Sequence, residues 1–242
     1  MNVDSLTRLT SPDITVGIGI AEGDRREDDV VSAADFCPLV IYRDAGALLD
    51  GLESEKIGAA VRGSLPAKEL LESLAARRAG LSIRRIALVT LPGGKPFLLG
   101  PVGIDEGGTL AAMRALVGDA REFCSLLGWE PRVAVLSAGR AEDAGRSRDI
   151  ARSIRRGERL GQVPGVRHYS ITVEEAIDWA NCVVAPDGVT GNLMYRTLTR
   201  LGAGSSLGAL YFPLDLRLAD TSRSGTVEEY AGAVALANIA VR

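Results

Sequence analysis

The sequence is poor in the residues that build metal centres and covalent staples. It contains one histidine, His168, so a histidine-based metal cluster is excluded and any Ser-His-Asp triad would have to use that residue. The three cysteines, Cys37, Cys124 and Cys182, are odd in number and widely spaced. Such a set indicates neither a disulfide framework nor a zinc site. No apolar run approaches the roughly 18 residues needed to span a bilayer. The opening MNVDSLTRLTSPD lacks the apolar core of a signal peptide. Positive charge is not in excess either: the formal net charge is -3, which leaves no nucleic-acid footprint. These absences predict a cytoplasmic chain without a metal, a membrane or a nucleic acid as partner.

What is present is an ordinary globular composition. The 242 residues are 46% hydrophobic and 24% charged, enough for one large domain or two modest ones. Short apolar segments rich in β-branched residues predict strands at 14–20, 38–42, 57–61, 83–91, 97–100, 132–136, 166–171, 183–185 and 205–212. Helical spacing predicts helices between them. One spans 44–52 with Asp44 as N-cap, and one spans 65–80 behind Ser64 as cap, closed by Gly80. A long one covers 106–127, a basic one 148–160, and others 172–180, 193–201 and 226–241. Alternating strands and helices argue for α/β architecture with a mainly parallel sheet. The turn-rich PGGKP at 92–96 is the candidate domain crossover in the first half.

The stretch VVAPDGVTGNLMYRTLTRLG, residues 183–202, organises the rest. It reads as a buried strand, a loop over 186–192, and a helix from Leu193 that stops at Gly202. Open α/β sheets place ligands at the C-terminal ends of their strands. A small-residue loop feeding a helix offers free N–H groups to an anion. Three further loops carry polar groups: Arg62-Gly63-Ser64, Ser137-Ala138-Gly139-Arg140, and 220–225 from Asp220 through Ser222 and Arg223. An arginine beside hydroxyls at a helix start suits phosphate or carboxylate recognition. The alternatives are tight turns and solvated surface loops. Thr226 to Glu229 has the spacing of a capping box, and Thr172 to Glu175 repeats it. His168, without motif context, reads as a hydrogen-bonded structural residue.

Together these stretches resemble the phosphate acetyltransferases and phosphate butyryltransferases. The segment from Ile20 to Ala34 is similar to that family's opening strand with its Glu-Gly-Asp-x-Arg turn. AVRGSLPAKELL and LGWEPRVAVLSAG resemble its Val-x-Gly-Ala and Gly-x-x-Pro-x-Val-Ala-x-Leu-Ser segments. VVAPDGVTGNLMYR resembles its Phe-Pro-Asp-x-x-x-Gly-Asn-x-x-Tyr-Lys run, and LADTSRSGTVEEYAGAVALANIA its Ser-Arg-Gly segment and final helix.

The resemblance implies a two-domain α-β-α fold with mainly parallel sheets, isocitrate/isopropylmalate dehydrogenase-like. The domains would be 1–95 plus 215–242, and 96–214, with the polar loops facing a cleft between them. It places Ser222 and Arg223 on the family's active-site pair and Glu229 on its catalytic acid, where Asp is usual. Arg62, Ser64, Ser137, Asp187, Gly191, Asn192 and Asp220 become the ligand-binding set. It implies a phosphorylated or acyl-phosphate ligand and leaves coenzyme A open as cofactor.

The chain departs from the pattern in length, chiefly between Tyr42 and Arg85. It lacks a counterpart of the family's substrate arginine there, and has one extra residue, Ser224, before Gly225. A narrower resemblance is to a short, phosphotransacetylase-like family of methanogenic archaea known as methanogenesis marker protein 4 or methyltransferase-related MtxX. No Asp-x-His-x-x-Gly of the cobalamin type is present to support methyl transfer. Two functions therefore stand side by side. One is an acyltransferase-like enzyme with an anionic small-molecule ligand. The other is a non-catalytic subunit in methanogen methyl transfer. Its partner would be a second copy or a methyl-transfer protein.

Overall fold

The chain opens with a short helix, α1 (Val3–Thr7), whose cap is the Asn2 side chain accepting from the Ser5 N–H. The computed structural model describes residues 1–241; Arg242, the last residue of the first expected domain, lies outside them. The described chain divides into two units, Met1–Ile83 with Ser206–Arg242, and Arg84–Ser205.

In the first unit the apolar segments become β1 (Val16–Gly19), β2 (Leu39–Tyr42) and β3 (Ala59–Val61). β1 lies between the other two, parallel to both, in the register Val16 to Leu39 and Val16 to Ala59. The helices between them are α2 (Glu27–Ala33), α3 (Ala45–Glu53) and α4 (Ala67–Arg77). Asp44 caps α3 as expected, its carboxylate accepting from the Ala47 N–H at 2.8 Å. Ser64 does not cap α4: that helix begins behind Pro66 with no side-chain cap. The Ser64 hydroxyl is drawn instead to the neighbouring loop, where it accepts from the Ala21 N–H at 2.9 Å.

The second unit begins with an antiparallel hairpin, β4 (Arg84–Thr90) and β5 (Pro96–Gly100), so the PGGKP stretch is its turn. The expected helix at 106–127 starts later, as α5 (Leu110–Leu126) capped by Thr109. Gly107 and Gly108 are left-handed, with φ of 77° and 78°, which breaks helical continuation before Thr109. Next come β6 (Val133–Val135), α6 (Arg148–Leu160), β7 (Val166–His168), α7 (Val173–Trp179) and β8 (Cys182–Val184). β5, β8, β6 and β7 pair in that order, all parallel. The strand expected to reach residue 171 ends at His168, because Ser170 turns the chain at φ 53°.

Helix α8 (Gly188–Arg196) starts five residues earlier than the Leu193 its sequence suggests. Asp187 is its N-cap and accepts from the Thr190 N–H at 2.8 Å. The two glycines that resemble loop residues are helical for a packing reason: an added Cβ at Gly188 would strike Gly103 O, and one at Gly191 would strike Pro101 O. A π-type turn over Thr197–Leu201 then leads to Gly202.

The chain returns to the first unit with β9 (Ser205–Phe212) and β10 (Leu218–Asp220), which pair antiparallel, while β10 runs parallel to β3. The last helix, α9 (Val227–Ile239), is buried continuously from Glu229 to Ile239. Between Ala231 and Ala237 it is apolar all round, the pattern of a core helix. Its small residues allow close approach: a Cβ on Gly232 would lie 2.7 Å from Leu207 O. Asn238, fully buried, ties its end to the N-terminal segment by accepting from Ser11 N–H at 2.8 Å and donating to Ser11 O at 2.9 Å. Among the described residues no helix is long and apolar enough to cross a membrane.

Candidate anion-binding site

Three loops of the first unit follow the parallel strands β1, β3 and β10 at their C-terminal ends. They are bolted together by buried polar groups. Gly63, at φ 62°, leaves no room for a Cβ, which would meet Gly19 O. This close approach lets the Ser64 N–H donate to Gly19 O at 3.0 Å. The Thr221 hydroxyl donates to Gly63 O at 2.9 Å. Arg62 is 4% exposed and spends its guanidinium on Asp220, Leu65 O and Thr221 O. A buried cation needs such compensation. The geometry makes Arg62 and Asp220 a brace between β3 and β10.

The 222–225 loop is fastened from two sides. On one side Arg26 donates to Asp24 through two contacts of 2.9 and 2.7 Å. Its remaining donors reach Gly225 O at 2.6 Å and Arg223 O at 2.9 Å, and its plane lies 4.6 Å over the Tyr230 ring. The hydrogen bond from Arg26 holds the Asp24 carboxyl down at about 2. On the other side Glu229, 3% exposed, accepts from the Ser222 N–H at 2.7 Å. The expected capping box is therefore half formed. Thr226 accepts from the Glu229 N–H at 3.1 Å, but the Glu229 carboxylate is turned into the loop. At the other expected box, Thr172 makes no side-chain cap.

What the fastened loop presents outward is short. The Ser222 and Ser224 hydroxyls lie 3.1 Å apart on the exposed side. Arg223 is exposed, and among the described residues its guanidinium has no partner. The two acids that could have claimed it are engaged: Asp220 by Arg62, and Asp215 by Arg78 at 2.8 Å. Arg25 is likewise exposed and unpaired among the described residues. Two hydroxyls beside an uncommitted guanidinium on an immobilised backbone can bind a tetrahedral oxyanion.

The remaining expected site residues belong to the second unit, where each has an internal partner. Ser137, buried after β6, donates to Gly139 O at 2.9 Å and lies 2.8 Å from His168 Nε2. With that hydroxyl proton directed at Gly139, the imidazole is the donor, the reverse of a Ser-His nucleophile pair. Burial pushes the His168 pKa down, and α6 closes over the ring at Gly157. Asp187 caps α8, Gly191 packs on Pro101 O, and the Asn192 amide donates to Val102 O at 2.8 Å. The same unit holds a buried ion pair, Arg85 with Glu106, and a part-buried one, Arg84 with Asp119.

Sequence reasoning missed Asp24 and Arg26. Their signal was the charged turn Glu22-Gly23-Asp24-Arg25-Arg26, noted for its likeness but not carried into the site. The cysteines are buried, and burial pushes the Cys37 and Cys124 thiols to about 11, which removes them as nucleophiles near neutrality. Among the described residues no cluster of His, Cys, Asp or Glu could hold a metal ion.

No family model matches the chain. It is 39% identical over 209 residues to a Methanosarcina acetivorans protein named "Putative methyltransferase mtx subunit X", covering 84% of this chain and 74% of that one. The Methanosarcina mazei protein of the same name is 40% identical over 183 residues, 74% of this chain; the match spans 65% of the M. mazei protein, just under two thirds of its length. A phosphate acetyltransferase of Corynebacterium glutamicum is 24% identical over 163 residues, 60% of this chain and 49% of that one. Among solved structures, a branched-chain phosphotransacylase from Enterococcus faecalis superposes with a TM-score of 0.71 at 20% identity, covering 95% of this chain and all of that one. That likeness establishes the α/β fold.

Proposed function

The chain belongs to the mtx subunit X family of Methanosarcina proteins, and from that premise we propose that it is a cytoplasmic transferase of the phosphotransacylase type. It binds phosphate or an acyl phosphate at the 222–225 loop. The observation that carries this reading is Arg223: an exposed guanidinium without a partner among the described residues, on a loop that Arg26 and Glu229 hold in place. Preorganisation of this kind lowers the cost of fixing a bound oxyanion. Arg223 supplies the charge-assisted contact, with the Ser222 and Ser224 hydroxyls as further donors. Coenzyme A enters as the acyl acceptor, a substrate rather than a resident group.

A second reading, a non-catalytic subunit in methyl transfer, is favoured by one observation. Glu229, the residue that resemblance assigns to thiol deprotonation, is buried and committed to the Ser222 N–H. Turnover of acetyl phosphate with coenzyme A separates the two readings. The transferase predicts turnover above background, and a rise in melting temperature with acetyl phosphate. Background turnover with no thermal shift from either ligand selects the subunit.

A further inference from the structure

Helix α6 carries five arginines and two acids over Arg148–Leu160, a local excess of three positive charges in a chain whose formal charge is -3. Four of the arginines, Arg148, Arg152, Arg155 and Arg159, recur at i, i+4, i+7 and i+11. At 3.6 residues per turn they fall within an arc of about 60° and form a stripe about 16 Å long. All four are exposed. The opposite face, with Ser153, Ile154, Gly157 and Leu160, is buried.

The stripe stands against local electrostatics. Arg148 is the first helical residue, where the positive end of the helix dipole disfavours a cation. Neighbours at i+3 and i+4 along the stripe repel one another. Asp149 answers Arg152 alone, at 3.2 Å. Among the described residues Arg148, Arg155 and Arg159 have no ion-pair or hydrogen-bond partner. Other surface arginines are paired: Arg43 with Glu27 at 2.6 Å and Arg78 with Asp215 at 2.8 Å.

We propose that this stripe is a docking surface for an acidic helical segment of a partner protein, with carboxylates at the matching i, i+4, i+7 and i+11 positions. Charge complementarity selects that occupant over nucleic acid. The exposed acids Asp149 and Glu158 flank the stripe. A protein segment can answer them with a lysine or arginine, whereas a phosphodiester backbone carries negative charge only. The surface is independent of the 222–225 loop, so it stands or falls separately from the transferase reading.

The test uses the full chain and two helical peptides of about 16 residues with identical composition. One carries glutamates at the matching interval; the other is scrambled. A DNA duplex is the third probe. Fluorescence anisotropy is expected to show the matched peptide binding about tenfold or more tightly than the scrambled one, weakening as salt rises. Arg155→Gln with Arg159→Gln should remove about tenfold of that affinity without lowering the melting temperature. Equal binding of the two peptides, tighter binding of the duplex, or an unaltered affinity in the double variant overturns the proposal.

Discussion

The two units differ in what the buried arginines near their strands hold in place. In the second, Arg84 and Arg85 are consumed by Asp119 and Glu106, and burial pushes both carboxyls upward against the pull of their partners. Ser137 and His168 satisfy each other, and Asp187 and Asn192 serve α8. In the first unit Arg62 is consumed in the same way, and Arg26 is spent on Asp24 and two loop carbonyls. Yet that second layer of pairing fixes a loop whose own arginine, Arg223, is left over. A buried arginine with every donor answered is a structural member. An exposed one on a fixed backbone is available to a ligand.

Breaking a buried pair tests the structural half of this contrast and should have the largest effect. Arg62→Ala removes the guanidinium paired with Asp220, and Glu106→Ala removes the nearest carboxylate of Arg85, leaving it Asp105 at 3.5 Å. Each should cost about 3–5 kcal/mol, read as a lower denaturant midpoint. A loss under about 1 kcal/mol at either site would mean that water already compensates these charges. Next comes the close approach in the core. Gly232→Ala puts a methyl 2.7 Å from Leu207 O and should cost about 1–3 kcal/mol in urea unfolding.

Glu229 sharpens the comparison within the site. If its carboxylate serves as acceptor for the Ser222 N–H, Glu229→Gln keeps that acceptor and should keep phosphate affinity. Glu229→Ala leaves the N–H without it, should cost about 1–3 kcal/mol of stability, and should weaken phosphate binding. Phosphate binding that survives in both variants would detach Glu229 from the loop's geometry.

The smallest effect is on pH. The Asp24 carboxyl is held at about 2 in the folded chain, below the unfolded value of about 3.9. A depressed pKa contributes stability that is complete above the unfolded value and is lost as pH falls towards the folded one. The difference in melting temperature between wild type and Asp24→Asn should therefore be constant near neutrality and shrink between about pH 4 and 2. A difference that stays constant through that window would remove the Asp24–Arg26 pairing from the account.

The fold was legible where its signals are local. Apolar strands such as Val16–Gly19 and Cys182–Val184 announce themselves, and Asp44 caps α3 as its position suggests. The alternation of strand and helix gave the α/β architecture. Legibility failed where distant backbone decides. Gly188 and Gly191 read as loop because their helical state is imposed by Gly103 O and Pro101 O, some 85 to 90 residues earlier. Ser64 and Glu229 have the spacing of caps, but each is claimed by a neighbouring loop. In the candidate site, Ser222 and Arg223 were expected from the resemblance that their local motif carries. Arg26 was not, because its contacts with Arg223 O and Gly225 O cross 197 and 199 residues of sequence.

The central claim is that Arg223 is the cation kept free for an oxyanion. Titrating inorganic phosphate against wild type, Arg223→Lys and Arg223→Ala, with thermal melts of all three, tests it most directly. Lysine keeps the charge but loses the bidentate fork, so affinity should fall by roughly 1–3 kcal/mol, and alanine should weaken it further. Because Arg223 is exposed and unpaired among the described residues, stability should change by no more than about 0.5 kcal/mol in either variant. Equal phosphate affinity in all three proteins, or a lowered melting temperature with unaltered binding, would contradict the account.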